Sequence, residues 1–391
     1  MRRIRILLAL AAVGASLLGV TAPAASAGRA VPRGFVGANA DGPLVADLNM
    51  FGNQLKPMAR AGVESIRFNF DWRRIQPYRS SDDVPPAFLP YYPDVNGVPT
   101  DFRATDEKVG DAATRGITVE PVLMYAPGWA ARHPGSSSSP PKDFNAYAHF
   151  AATMVERYGS NGSFWLDNPT VPFRPIRNWQ IWNEPHFKEF WKDRPWAGDY
   201  VKMLKRADTA IHGADSAART VLAGLANRSW RYLDAIYRKG AKGHFDLVAL
   251  HPFTMKVHGV IEIVDRARRV MKEHHDGGRS VVITEMSWTS ARGKTSRHFG
   301  IEQTEEGQAK QLANAYELVA RARKRLKLRA VYWYTWISRD RSEVDPFDYA
   351  GVMKVRNGDP VKKPAYRALR KLALPLEGCA SKSTGDATAC D

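Results

Sequence analysis

Two carboxylates stand at the ends of apolar runs, where a side chain can act on something outside the core. Glu184 follows Asn183 at the close of "NWQIWN" (178–183), and Glu285 stands near the end of "SVVITEMSW" (280–288). Arg67, within "SIRFNF" (65–70), and His251, in "FDLVALHPF" (245–253), hold comparable positions. Aromatic residues lie near them in sequence: Trp72, Tyr125, Trp129, Trp288, Tyr332, Tyr334 and Trp336. Two carboxyl groups facing each other across a cleft can cleave an acetal. One protonates the leaving oxygen, and the other attacks the carbon or activates water. Charge pairing with Arg67 keeps one of them ionised, and an apolar tryptophan wall raises the pKa of the other. That division assigns Glu184, beside Asn183, as acid/base and Glu285 as nucleophile. Either glutamate alone could be a helix cap; the pair, with Arg67 and the aromatics, favours catalysis.

Positioning these groups requires a frame that brings distant strand ends together. Eight β-like runs recur, each followed by helical periodicity: 34–39, 65–70, 118–125, 178–183, 220–226, 245–253, 280–288 and 330–336. This is the pattern of a parallel sheet built from βα units, and eight of them predict an α/β fold, a single (β/α)8 TIM barrel. Two intervening helices can be checked by period. Leu312, Tyr316, Val319, Ala322 and Leu326 fall three or four apart between Thr304 and Lys327, with Glu305 and Glu306 early and Arg323, Lys324 and Arg325 late, as the helix dipole favours. Tyr200, Met203, Leu204, Ala207 and Ile211 repeat the spacing between Trp196 and Ala217. Long irregular stretches at 78–99, 132–144, 186–196 and 338–351 all follow strands, so the extra length falls on the C-terminal face, where barrels carry their sites.

The first 27 residues carry Arg2, Arg3 and Arg5, an apolar stretch from Ile6 to Val20, and Ala25 and Ala27 around Ser26. They read as a signal peptide cleaved after Ala27, too short for a membrane span, and predict a secreted protein, extracellular or associated with the cell wall. Residues 28–375 form the expected barrel domain, and 376–391 a polar tail in which Cys379 and Cys390, the only cysteines, pair. The net charge of +17 becomes +14 without the three signal arginines (17 − 3). This is either an arginine-rich solvated surface or one that attracts polyanions. With no zinc-finger spacing, RNP-like segment or basic helix-turn-helix pattern, an acidic glycan or cell wall fits better than nucleic acid. No metal or cofactor is expected: His274 and His275 fall just before the seventh strand, on the face opposite Glu285, and no HExxH or phosphate-cradling loop occurs.

"WNEP" after the fourth strand and "ITEMSW" on the seventh resemble the acid/base and nucleophile strands of clan A glycoside hydrolases, the retaining enzymes built on a (β/α)8 barrel. Within that clan the chain is most similar in look to family 39-like bacterial enzymes, through "RYGSNGSFW" (157–165), "WQIWNEP" (179–185) and "DYAGVMKVRNGDPVKKPAY" (348–366). The resemblance spans residues 34–372. It implies Glu184 as acid/base, Glu285 as nucleophile, Asn183 on the sugar 2-hydroxyl, Arg67 against the nucleophile, His251 as the strand-six histidine and Trp336 as a platform on strand eight. Trp129, Trp288 and Tyr125 join the expected sugar contacts, since a ring face stacks on the C–H face of a pyranose. One position departs: many relatives carry His-x-Tyr after strand six, and this chain reads His251, Pro252, Phe253. Tyr332 or Tyr334 then takes the place of the missing phenol, or the nucleophile is held differently. The expectation is a monomeric hydrolase acting on a β-linked polysaccharide or oligosaccharide through a covalent glycosyl-enzyme. Its competitors are a transglycosidase on the same scaffold and a non-catalytic binder of anionic wall glycan.

Overall fold

The computed structural model describes residues 28–391, and the expected signal peptide lies outside them. Eight parallel strands close into a barrel: β1 (Val36–Asn39), β2 (Ser65–Asp71), β3 (Thr118–Met124), β4 (Asn178–Ile181), β5 (Arg219–Val221, resuming at Leu225–Ala226), β6 (Leu247–His251), β7 (Ser280–Met286) and β8 (Leu328–Trp333). Each pairs with the next, and β8 returns to β1 at Val36↔Val331. The runs read from sequence fall on these strands within a few residues. Only the fifth is interrupted, at 222–224.

Helices follow the strands in turn: α1 (Leu48–Arg60), α2 (Arg103–Thr114), α3 (Phe144–Tyr158), α4 (Ala197–Ala214), α5 (Ser229–Arg238), α6 (Val257–Glu273), α7 (Glu305–Leu326) and α8 (Pro364–Glu377). The two checked by period lie where expected, with Leu312, Tyr316, Val319 and Leu326 of α7 buried and Thr304 Oγ1 accepting from Gly307 N at 3.0 Å as its N-cap. Because helices cover the barrel outside and side chains fill it inside, the strands are buried on both faces. This explains why they read as continuous apolar runs.

A separate small cluster of Val221, Leu247, Ala249, Val282, Ala330 and Tyr332 lies apart from the large barrel–helix core. Its members alternate along β6, β7 and β8, so the inward face of β6 continues from Leu247 and Ala249 to His251. The same alternation along β7 runs from Val282 to Thr284 and would turn Glu285 away. Between Ile283 and Met286, however, three residues advance on β7 against two, Val331 to Trp333, on β8. A bulge of one extra residue there re-aims the chain, and Glu285 comes to the cleft beside Thr284.

Beyond α8, Cys379 and Cys390 are disulfide-bonded, and the tail packs back on the protein, Ala387 N donating to Arg115 O at 2.8 Å. Among the described residues no helix is long and apolar enough to cross a membrane.

Candidate active site

Three non-glycine residues near the ends of β3 and β4 occupy left-handed backbone: Tyr125 at φ 70°, Trp182 at φ 67° and Glu184 at φ 41°. This conformation costs an L-residue about 1–3 kcal/mol each, and such strain gathers at functional sites. The turn is held by Glu184 N donating to Gly224 O (3.1 Å) and Phe187 N donating to Glu184 O (2.9 Å).

Arg67 organises the floor. It is 5% exposed and donates four hydrogen bonds: to Asn39 Oδ1 (2.6 Å), Gln180 Oε1 (2.8 Å), Asn183 Oδ1 (2.8 Å) and Glu285 Oε1 (2.9 Å). Asn39 is itself anchored, its amide donating to Thr284 O at 2.9 Å. A guanidinium fixed on several sides is a rigid positive charge, and only one of the two candidate glutamates pairs with it. Asn39, Gln180 and Thr284 were not singled out from the sequence.

His251 joins the two carboxylates. Its Nδ1 lies 2.7 Å from Glu184 Oε1, its Nε2 lies 2.9 Å from Thr284 Oγ1 and 3.6 Å from Glu285 Oε1. The ring is fully buried, and burial lowers its pKa to about 4, so it is neutral at physiological pH. Gly224 makes the room: a Cβ at that position would overlap the imidazole. One oxygen each of Glu184 and Glu285 and a nitrogen of His251 lie within 4.8 Å of one another. Such a trio can bracket a cation, but Arg67 already supplies positive charge at Glu285.

The two carboxyl groups differ in environment. Burial pushes Glu184 up to about 8, opposed by Arg67 and reinforced by Glu189. Burial also raises Glu285, but the directly bonded Arg67 guanidinium pulls it back. At neutral pH Glu184 therefore holds a proton, and Glu285 is the better candidate for the anion.

Above them opens a cleft of about 770 Å³, reached by both glutamates and by Tyr334. Its walls come from the loops after β4 to β8. The stretches at 78–99 and 132–144 line other hollows. Beside Tyr334, phenylalanines supply the aromatic surface, at 187, 190, 253, 299 and 347.

The expected tryptophan contacts require correction. Trp288 and Trp336 have no exposed surface: Trp288 Nε1 donates to Met255 O at 3.2 Å and Trp336 Nε1 to Gln54 Oε1 at 3.0 Å. Trp72 is equally buried, stacked on Phe150. Trp129 is half-buried beside a different hollow, its Nε1 donating to Gln76 O. An indole's bulk and amphipathic edge suit a packed position with one polar partner as well as a sugar platform, and packing prevails here. Tyr125 is half-buried under the Arg73 guanidinium, 4.2 Å from its centroid, and feels the charges of Asp41 and Glu285. Of the two tyrosines considered for the missing phenol, Tyr332 donates to Glu120 Oε2 deep in the barrel (3.0 Å), and Tyr334 to Asp41 Oδ2 (2.5 Å). Neither holds Glu285; Arg67 does, with His251 nearby. His274 bonds Asp234 and stacks on Tyr237, apart from the cleft.

No protein-family model matches the sequence, and no curated protein is found to be similar to it. Solved structures are similar. A family 39 glycoside hydrolase from the gut symbiont Bacteroides cellulosilyticus superposes with a TM-score of 0.60 at 17% identity over 88% of this chain and 64% of that one. A monomeric β-xylosidase from Caulobacter crescentus gives 0.60 at 18%, covering 88% and 69%. An α-L-arabinofuranosidase from Thermotoga maritima gives 0.58 at 13%, covering 89% and 72%. The chain thus spans about two thirds of the length of these structures. In fold, the chain is a (β/α)8 barrel similar to those of family 39 glycoside hydrolases.

Proposed function

We propose that the protein is a retaining glycoside hydrolase. The observation that carries this reading is the asymmetric pair: two buried carboxylates with oxygens within 4.8 Å, one paired with Arg67 and the other hydrogen-bonded to His251 Nδ1. Retaining enzymes keep their carboxyl groups about 5–5.5 Å apart, while inverting ones leave about 6.5–9.5 Å for a water between them. The names of the similar structures, xylosidase and arabinofuranosidase among them, support a sugar substrate.

In the first step the Glu285 carboxylate attacks the anomeric carbon as Glu184 gives its proton to the departing oxygen. The C–O bond to the leaving group breaks, and a glycosyl ester forms on Glu285. Neutral His251 accepts the Glu184 proton's hydrogen bond at Nδ1 in the resting state and holds the carboxyl in place. In the second step Glu184, now ionised, takes a proton from water as the water oxygen attacks the same carbon, and Glu285 leaves as a carboxylate. Asn183, its Oδ1 tied to Arg67, keeps its amide N–H groups for a sugar hydroxyl. The chemistry needs no cofactor. We further infer export from the cell, a reading supported by the N-terminal segment and by the Cys379–Cys390 bond.

The test is a panel of polysaccharides and β- and α-linked aryl glycosides given to the protein lacking residues 1–27, with Glu184→Ala as control. Cleavage with net retention, read by proton NMR of the first-formed anomer, supports the proposal. An inverted product, or cleavage undiminished in Glu184→Ala, overturns it.

A further inference from the structure

Polar and apolar side chains are not mixed evenly around the two carboxylates. Hydrogen-bonding groups gather about Glu285: Arg67 bonds it, and Tyr334 and Tyr125 both feel its charge and that of Asp41. The surroundings of Glu184 are different. Phe187 and Phe190 follow it in the same turn and face the cleft. Phe253 meets the edge of the His251 ring, 6.3 Å between centroids, and His251 bonds Glu184. From Phe253 the apolar surface continues through Phe347 (5.1 Å) to Phe299 (5.6 Å). Met255 is 62% exposed and Phe299 48%, both lining the cleft.

Thr254 and Tyr334 are half-buried at the border of this surface, and the rest of its polar lining is exposed. Glu189, Asn227, Arg297 and Asp345 are all solvent-exposed, and Asp345 is engaged in capping Phe347 N at 3.0 Å. A subsite for a second sugar needs donors and acceptors aimed at several hydroxyls, because each hydroxyl stripped of water without a partner weakens binding. Phenylalanine and methionine supply none. Indole is absent from this wall, and the phenol that borders it, Tyr334, meets Phe347 at 5.8 Å between centroids and spends its hydroxyl on Asp41 Oδ2.

We infer that the leaving-group side of the cleft takes an apolar aglycone, alkyl or aryl, so that the substrates are glycosides of hydrophobic alcohols or phenols. The inference rests on the hydrolase reading above for its geometry: the acid/base stands beside the departing oxygen, and the apolar wall begins in that residue's own turn, at Phe187 and Phe190. Exposed Met255 and Phe299 then form the mouth through which a hydrophobic group enters. Such side chains are costly to leave in water without an occupant.

Octyl and methyl glycosides of the same sugar test this, since their leaving alcohols are of like acidity and differ only in apolar length. Each methylene fully removed from water is worth about fourfold in affinity, so seating three of the seven extra ones gives a preference of roughly 50-fold. The protein lacking residues 1–27 is assayed for kcat/KM on octyl and methyl β-D-xylopyranosides and β-D-glucopyranosides. Binding of octyl and methyl 1-thio-β-D-glucopyranosides and 1-thio-β-D-xylopyranosides is measured by calorimetry in parallel. We expect the octyl compound to be preferred by about 50-fold for the accepted sugar. The preference should shrink to a few-fold in Phe299→Ser and in Met255→Ser, both exposed side chains. An octyl-to-methyl ratio near one, or faster cleavage of the β-linked disaccharide than of the octyl glycoside, overturns the inference and leaves the hydrolase reading intact. If no glycoside is cleaved, the hydrolase reading fails and the binding arm decides: tight, Phe299-dependent octyl binding retains the apolar subsite, and equal binding of octyl and methyl compounds removes it.

Discussion

Replacing Glu184 with Gln should stabilise the folded protein above pH 5, by an amount that grows with pH. The folded carboxyl is raised by burial from 4.5 to about 8. Between these values the native state holds a proton that the unfolded chain has released, so stability falls as pH rises through the window. At pH 7 the loss is about 2.5 pH units at about 1.4 kcal/mol each, or roughly 3 kcal/mol. Because Glu184 is only 8% exposed, solvent screens little of this. Gln has the same shape, carries no charge, and can donate its amide N–H to His251 Nδ1 in place of the acid proton. It removes the pH-dependent penalty and keeps the contact. Unfolding entropy of about 2.1 cal/mol/K per residue over some 360 residues is roughly 0.8 kcal/mol/K, so the Tm of Glu184→Gln should exceed the wild type's by about 4 °C at pH 7. The difference should vanish near pH 4. Scanning calorimetry of both proteins from pH 4 to 9 measures it, with every other titration common to the two curves. Parallel curves across that range, or a wild type that gains on the variant as pH rises, would refute the claim that Glu184 is held protonated by its surroundings.

Activity should follow the same group: kcat/KM on an accepted aryl glycoside should decline about tenfold per unit above roughly pH 8 as Glu184 loses its proton, and a plateau to pH 10 would contradict this. Gly224→Ala drives a methyl into the His251 ring, so kcat should fall by about two orders of magnitude, with a stability loss of about 1–3 kcal/mol; unchanged kcat would show that the ring is not needed where it stands. Trp336→Phe strands the buried Gln54 carbonyl and should cost about 1–3 kcal/mol in denaturant titrations, with KM unaltered. A tenfold rise in KM without loss of stability would instead restore Trp336 as a sugar platform.

The barrel was legible because its strands are buried on both faces and so leave uninterrupted apolar runs, each followed by a helix with a clear period. Glu184 and Glu285 were legible for a related reason: a carboxylate at the end of such a run has few structural uses. Their surroundings were not. Asn39 and Gln180 are polar residues inside strands, and what they bond depends on closure of the barrel, which sets β1 and β4 around Arg67. The inward turn of Glu285 depends on a bulge against β8 that alternation along β7 would contradict. The tryptophans misled because residue type does not say which way a ring points once a loop folds; Trp288 and Trp336 turned inward, each to a single acceptor. The phenylalanines that do line the cleft are scattered over four loops, and nothing in their local spacing brings 187, 253, 299 and 347 together.

The most direct test of the central claim is covalent trapping of the nucleophile. The protein is incubated with 2-deoxy-2-fluoro glycosyl fluorides of the accepted sugar, in which attack is faster than release, then digested and sequenced by mass spectrometry. The account predicts a single fluoroglycosyl group on Glu285, within the peptide containing "SVVITEMSW", and no label in Glu285→Gln. A label on Glu184 or any other residue, or turnover of the substrate with no trapped ester at all, would contradict it.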